Sequence, residues 1–205
     1  MIKISKRHIS IIGASIIFFS ILGTLFIYNW NQYQTNRDQF KNCNDSWCVR
    51  ISGNVNYEMS VGISYLLNDS FARVENQEFQ VLNSFETNYN KTLSGVVLWD
   101  ILNQTGLLRG NSSLIQFQAS DGYKSFKLPL RIIQNFPKMI IIVTHIDGKL
   151  IPPKENGGDG PLMAAVDYPS LINDSEVEQI FNDNQQDFVY NSQYNVKYLN
   201  SIIII

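Results

Sequence analysis

Apolar residues fall along this chain in three patterns. Residues 9–28 form one uncharged block. Beyond it, most runs alternate apolar and polar side chains, the two-residue period of a strand with one wet face. Cys48–Val55 reads as a first strand, with Val49, Ile51 and Val55 apolar and a bend at Gly53. Arg73–Leu82 alternates weakly and Ser113–Ala119 cleanly, while Phe126–Leu130, interrupted by Pro129, suits an edge strand. Met139–Ile146 is instead a continuous β-branched run, as a buried strand requires. Leu162–Val166 reads as another strand, and Tyr194–Ile205 as one long strand or two. Left exposed, Ile202–Ile205 would be an aggregation hazard, so these residues are expected inside a sheet.

Helical spacing is confined to short segments. Ser60–Leu67 reads as a helix capped by Ser60, and Val97, Leu98, Ile101 and Leu102 share a helical face that Gly106 ends. Asp174–Phe181 reads as a third short helix. Asp121-Gly122 and Asp147-Gly148 mark turns, and Pro152–Pro161 a glycine-rich loop. Many strands with few helices predict an α+β class with a mixed or barrel-like sheet.

The uncharged block is long enough to span a bilayer: twenty residues at about 1.5 Å rise cover about 30 Å. Lys3, Lys6 and Arg7 precede it, Arg37 is the first charge after it, and Tyr28, Trp30 and Tyr33 lie where an aromatic belt would fall. This predicts a cytoplasmic basic tail (1–8), a single-pass transmembrane anchor (9–28), a polar stalk (29–48) and an external domain (49–205). A cleaved signal peptide fits less well, because the run is long and Phe26–Trp30 offers no small-x-small site.

Outside residues 1–8 the chain carries thirteen basic and eighteen acidic side chains, a net of −5. That excludes a nucleic-acid partner held by a basic patch. Cys43 and Cys48 are the two cysteines. In an oxidising external compartment they read as a disulfide. Half of a zinc site would need donors that are missing, His145 being the one imidazole beyond the anchor; free thiols are the third option. Asn44, Asn68, Asn90, Asn103, Asn111 and Asn173 each begin an Asn-x-Ser/Thr sequon, so they are candidate glycosylation sites.

Four motifs occur in a set order: Ser94–Leu102, Ala119–Tyr123, Asp147–Pro152 and Gly160-Pro161-Leu162, followed by Val196-Lys197-Tyr198-Leu199. In this order, over residues 49–205, the chain resembles the oxidoreductase molybdopterin-binding domain of the sulfite oxidase family. The resemblance implies a cofactor-facing cleft, to which Asp121, Gly122, Tyr123, His145, Gly158 and Gly160 would contribute. It also implies a cysteine thiolate on molybdenum, between the early strands and the Ser94–Leu102 motif. Here Phe79–Tyr89 contains no cysteine, and Leu82, Asn83 and Ser84 stand nearest that place. The family's arginine after Gly-Pro-Leu is replaced by Met163. A thiolate suits molybdenum and arginine suits anions, so two chemical requirements are missing together.

The residues also have plainer roles. Asp121-Gly122 serves as a turn, His145 as a half-buried strand residue, Gly157–Gly160 as a flexible loop, and Trp99 and Tyr123 as core anchors. No Gly-x-Ser-x-Gly elbow or paired carboxylates suggest another catalytic centre. The expected function is therefore a membrane-anchored, extracytoplasmic binding or interaction module without catalytic residues or a metal, with a protein or small ligand as partner. The alternatives are a molybdopterin-dependent oxidoreductase domain acting with a partner chain, and a purely structural surface protein.

Overall fold

The computed structural model describes residues 18–28, 43–68, 71–153 and 156–205. The chain divides into two units, 1–39 and 40–205. In the first, residues 18–28 are helical and Phe18, Phe19, Ile21, Leu25, Phe26 and Ile27 are exposed. Residues 9–17 of the expected anchor, the tail 1–8 and the stalk residues 29–42 lie outside the described residues. Among the described residues, no helix is long and apolar enough to cross a membrane.

The second unit is a mixed α+β structure of two five-stranded sheets and short helices. Sheet one runs β2 (Met59–Gly62), β1 (Cys48–Gly53), β10 (Leu199–Ile204), β5 (Leu114–Ala119), β6 (Leu128–Pro129). Strands β1 and β10 are parallel, and β10 pairs antiparallel with β5. The isoleucine tail thus occupies the middle of a sheet, with Ile202 and Ile204 fully buried, as its composition requires. Only Leu199–Ile204 is strand; Tyr194–Tyr198 instead turns, because its backbone bonds to other elements.

Sheet two runs β3 (Arg73–Leu82), β4 (Asn88–Val97), β7 (Ile140–Ile146) and β8 (Lys149–Leu150). Strand β9 (Met163–Val166) pairs with Ile140–Val143 on the same edge of β7 that β8 occupies further along. Alternate residues of these strands enter two different cores. Val96, Ile140, Ile142, Ala164 and Val166 join the large core shared with sheet one. Phe79, Leu93, Ile141, Val143, Met163 and Ala165 form a second, smaller one. Burial on both faces explains why Ile140–Val143 shows no polar alternation.

Two local expectations fail and one strand was not foreseen. Ser60 does not cap a helix: Met59–Gly62 is strand β2, and the helix is Ile63–Leu66. The Asp45 carboxylate accepts from Ser64 N–H at 2.9 Å and thus supplies a helix-start partner from 19 residues away. Strand β4 starts at Asn88, inside a segment without apolar alternation. Downstream, Leu130–Asn135 is helical, so the expected edge strand shrinks to Leu128–Pro129. Leu98–Gln104 and Ser175–Asp183 are helical, although Val97, read on the first helix, ends β4; Asp174 caps the second by accepting from the Glu176 and Val177 amides. Arg131 pairs with Asp174 and with Glu176, which tethers this helix to Leu130–Asn135.

Candidate functional site

The cysteine-free segment around Leu82, Asn83 and Ser84 is a tight hairpin joining β3 to β4. Asn83 Oδ1 accepts from the Phe85 and Thr87 amides, both at 2.9 Å. The Asn83 amide donates to the Thr87 carbonyl at 3.1 Å. Ser84 sits at the exposed tip and Phe85 is 86% exposed. Cys43 and Cys48 are joined as a disulfide, and no free cysteine occurs among the described residues. Trp47, inside the disulfide loop, donates from Nε1 to the Leu199 carbonyl at 2.7 Å and so fastens the loop to β10.

The outer edges of β3 and β9 do not pair with each other. Side chains and one loop bridge them. Asp167 Oδ1 accepts from Gln80 N–H at 2.7 Å. Asn191, fully buried, accepts from Leu82 N–H at 2.7 Å and donates to the carbonyls of Gln80 (2.8 Å) and Val166 (2.6 Å). Ser192 N–H then bonds to the Leu82 carbonyl, Val196 pairs both ways with Ala164, and Asn195 Oδ1 accepts from Val166 N–H. Residues 191–196 thus stand in for the missing strand, and sheet two closes into a barrel-like wall around the smaller core. Nothing in the local sequence around Asp167 or Asn191 marks this role, because their partners lie 87 and 109 positions away. Burial pushes the Asp167 carboxyl above its ordinary range, against the lowering pull of the Gln80 and Tyr168 amides.

At the mouth of this wall lies a cavity of about 150 Å³. Its floor is Phe79, Val81, Leu93, Met163 and Ala165; its rim is Tyr89, Lys91, Ser192, Asn195 and Lys197. The Lys91 ammonium lies 5.8 Å from the Tyr89 ring centroid, and Lys197 pairs with Asp159 at 2.8 Å. Lys197 belongs to the closing motif found in the sequence, and Met163 follows Gly160-Pro161-Leu162. A second, open groove of about 620 Å³ shares Tyr89 and is otherwise polar except for Pro169, including Glu78, Gln80, Asn90 and Asp167.

The residues expected to form a cofactor cleft are only partly brought together. Asp121 Oδ1 accepts from the Tyr123 amide, which makes the expected turn. Tyr123 is 42% exposed, so it is no core anchor. Its hydroxyl donates to the Gln193 carbonyl at 3.0 Å, and partial burial beside Tyr190 raises its pKa. The Gly158–Gly160 loop reaches the same segment, because Asp159 accepts from Tyr198 N–H and pairs with Lys197. A Cβ on Gly158 would meet the Pro152 carbonyl oxygen at 2.0 Å, so that glycine serves the loop's own folding. His145 makes its contacts elsewhere, opposite Ser94 and Leu150, with Nδ1 2.9 Å from Thr144 Oγ1. All six sequon asparagines are exposed. Among the described residues, no group of three or more His, Cys, Asp or Glu could hold a metal.

No family model matches the chain, and no curated protein matches its sequence. Among solved structures, its fold is similar to that of the sulfane dehydrogenase SoxCD from Paracoccus pantotrophus. The TM-score is 0.52 at 13% identity, over 80% of this chain and 39% of that one. This chain therefore spans about two-fifths of the length of that structure, and the likeness is one of fold.

The donor set does not fit a molybdopterin centre. Among the described residues no free thiol is available as a soft ligand, because both cysteines are spent on each other.

Proposed function

We propose that this chain is a membrane-anchored extracytoplasmic module, built on a sulfite-oxidase-like scaffold, that binds a small ligand or a protein and carries no molybdenum chemistry. The motif order and the likeness to a sulfane dehydrogenase fold support the scaffold. The basic residues before an uncharged block, and the exposed apolar side chains of the helix at 18–28, support the anchor. In water those side chains would be a liability, whereas lipid accepts them. A disulfide just beyond the stalk supports an oxidising compartment.

One observation carries the loss of redox chemistry. By the motif order, the metal-binding thiol would fall at the Asn83-stapled hairpin with Ser84 at its tip, and no cysteine stands there. The test is metal and pterin analysis of the full-length protein, purified from a host that makes molybdenum cofactor. The expected result is no stoichiometric molybdenum and no pterin fluorescence after acid oxidation. One molybdenum per chain would overturn the proposal and restore the oxidoreductase reading.

A further inference from the structure

The cavity at the barrel mouth has a chemistry of its own, and its occupant can be named by class if the scaffold binds no molybdopterin, as proposed above. Its floor is five apolar side chains, each no more than 2% exposed. Two lysines line the rim and no aspartate or glutamate does. Lys197 is neutralised by Asp159 from outside the lining, but Lys91 has no carboxylate partner among the described residues. Asn195 Oδ1 is engaged by Val166 N–H, which leaves its Nδ2 as a donor. Ser192 Oγ has no partner among the described residues either. Uncommitted donors around an apolar pit match a ligand with an anionic head and a short hydrocarbon body.

We infer that this cavity binds short-chain aliphatic monocarboxylates, with the head held by Lys91, Ser192 and Asn195 and the alkyl chain on Phe79, Met163 and Ala165. The size limit follows from the volume. About 150 Å³ equals roughly five liquid waters, which accommodates an acid of about four carbons. A small inorganic oxoanion satisfies the donors but leaves the apolar floor uncovered. Each methylene laid on that floor is worth about a fourfold gain in affinity.

Met163 provides an internal reporter, with Met59 and Met139, which do not line the cavity, as references. The full-length chain in detergent, labelled with 13C-methyl methionine, is titrated with acetate, propionate, butyrate, butyramide and sulfate. The expected result is a saturable shift of the Met163 methyl alone, tightening about fourfold per added carbon up to butyrate. Butyramide and Lys91→Gln should each weaken binding by about tenfold or more. Unchanged Met59 and Met139 signals would show that the variant is folded. No saturable Met163 shift would overturn the inference. So would butyramide or sulfate binding as tightly as butyrate. Metal analysis of the same sample separates the two proposals. A molybdenum-free protein that ignores butyrate sinks only this inference, whereas stoichiometric molybdenum sinks the function it rests on.

Discussion

Gln80 gives its backbone N–H to the side chain of Asp167 across 2.7 Å, and in doing so joins the free edge of β3 to the residue that follows β9. A buried amide at a sheet edge needs an acceptor, and here the acceptor is a carboxylate rather than a strand. Asp167→Ala would leave that amide unpaired and should cost about 1–3 kcal/mol in urea unfolding. An unchanged midpoint would mean that water replaces the carboxylate freely.

The same carboxyl gives a pH signature. Burial raises its pKa above the ordinary value of 3.8. Between the ordinary and the raised value the folded chain binds more protons than the unfolded one, so Asp167 removes stability as pH rises through that window. Asp167→Asn keeps an acceptor for Gln80 without the charge. It should be at least as stable as the parent at pH 7, and any advantage should shrink on acidification to below 3.8. An advantage that persists undiminished in acid would rule out desolvation as its cause.

Asn191 carries more of the closure. Its side chain serves Leu82 N–H and the carbonyls of Gln80 and Val166 at once, with no exposure to solvent. Asn191→Ala should cost about 3 kcal/mol or more, because several buried groups lose partners together. Hydrogen exchange should then speed up at Leu82 while β1 and β10 keep their protection. Uniform loss of protection would mean that the two sheets unfold as one unit.

Gly95 sits where β4 crosses β7, and an added Cβ would lie 2.3 Å from the Ile142 carbonyl oxygen. Backbone cannot yield as a side-chain tip can. Gly95→Ala should therefore destabilise by about 1–3 kcal/mol, read from the urea midpoint. This explains the glycine of the Ser94–Leu102 motif by packing alone, without any ligand.

The disulfide closes a short loop, with a sequence separation of 5. Loop-closure entropy assigns such a crosslink about 2 kcal/mol. Reduction should lower stability by that amount and shift the fluorescence of Trp47, whose indole is fixed to the Leu199 carbonyl. Loss of stability with no spectral change would show that Trp47 stays anchored without the crosslink.

The strands were legible where burial alone dictates composition. Ile140–Val143 is apolar throughout because successive residues face two different cores, and Ile202–Ile204 could only be central. Strand β4 was illegible at its start because Asn88, Tyr89 and Asn90 are all exposed, and pairing with β3 alone defines them as strand. The start of the helix Ile63–Leu66 was misplaced because its partner, Asp45, lies outside any local window. Of the candidate site, the lack of a cysteine in Phe79–Tyr89 and the place of Lys197 in the closing motif could be seen in advance, but the hairpin itself could not. Asn191 and Asp167 could not, since an isolated Asn or Asp acquires its role only when distant edges meet.

Arg50 and Ser201 are neighbours on adjacent parallel strands although 151 positions separate them in the chain. A ribosome must therefore deliver residues 199–204 before β1 and β5 can share a sheet. Until then, the early strands present unsatisfied edges while the 151 positions between Arg50 and Ser201 are made. Maturation of this domain is governed by a late, long-range step, and its vulnerable period is set by the speed of translation as much as by native stability.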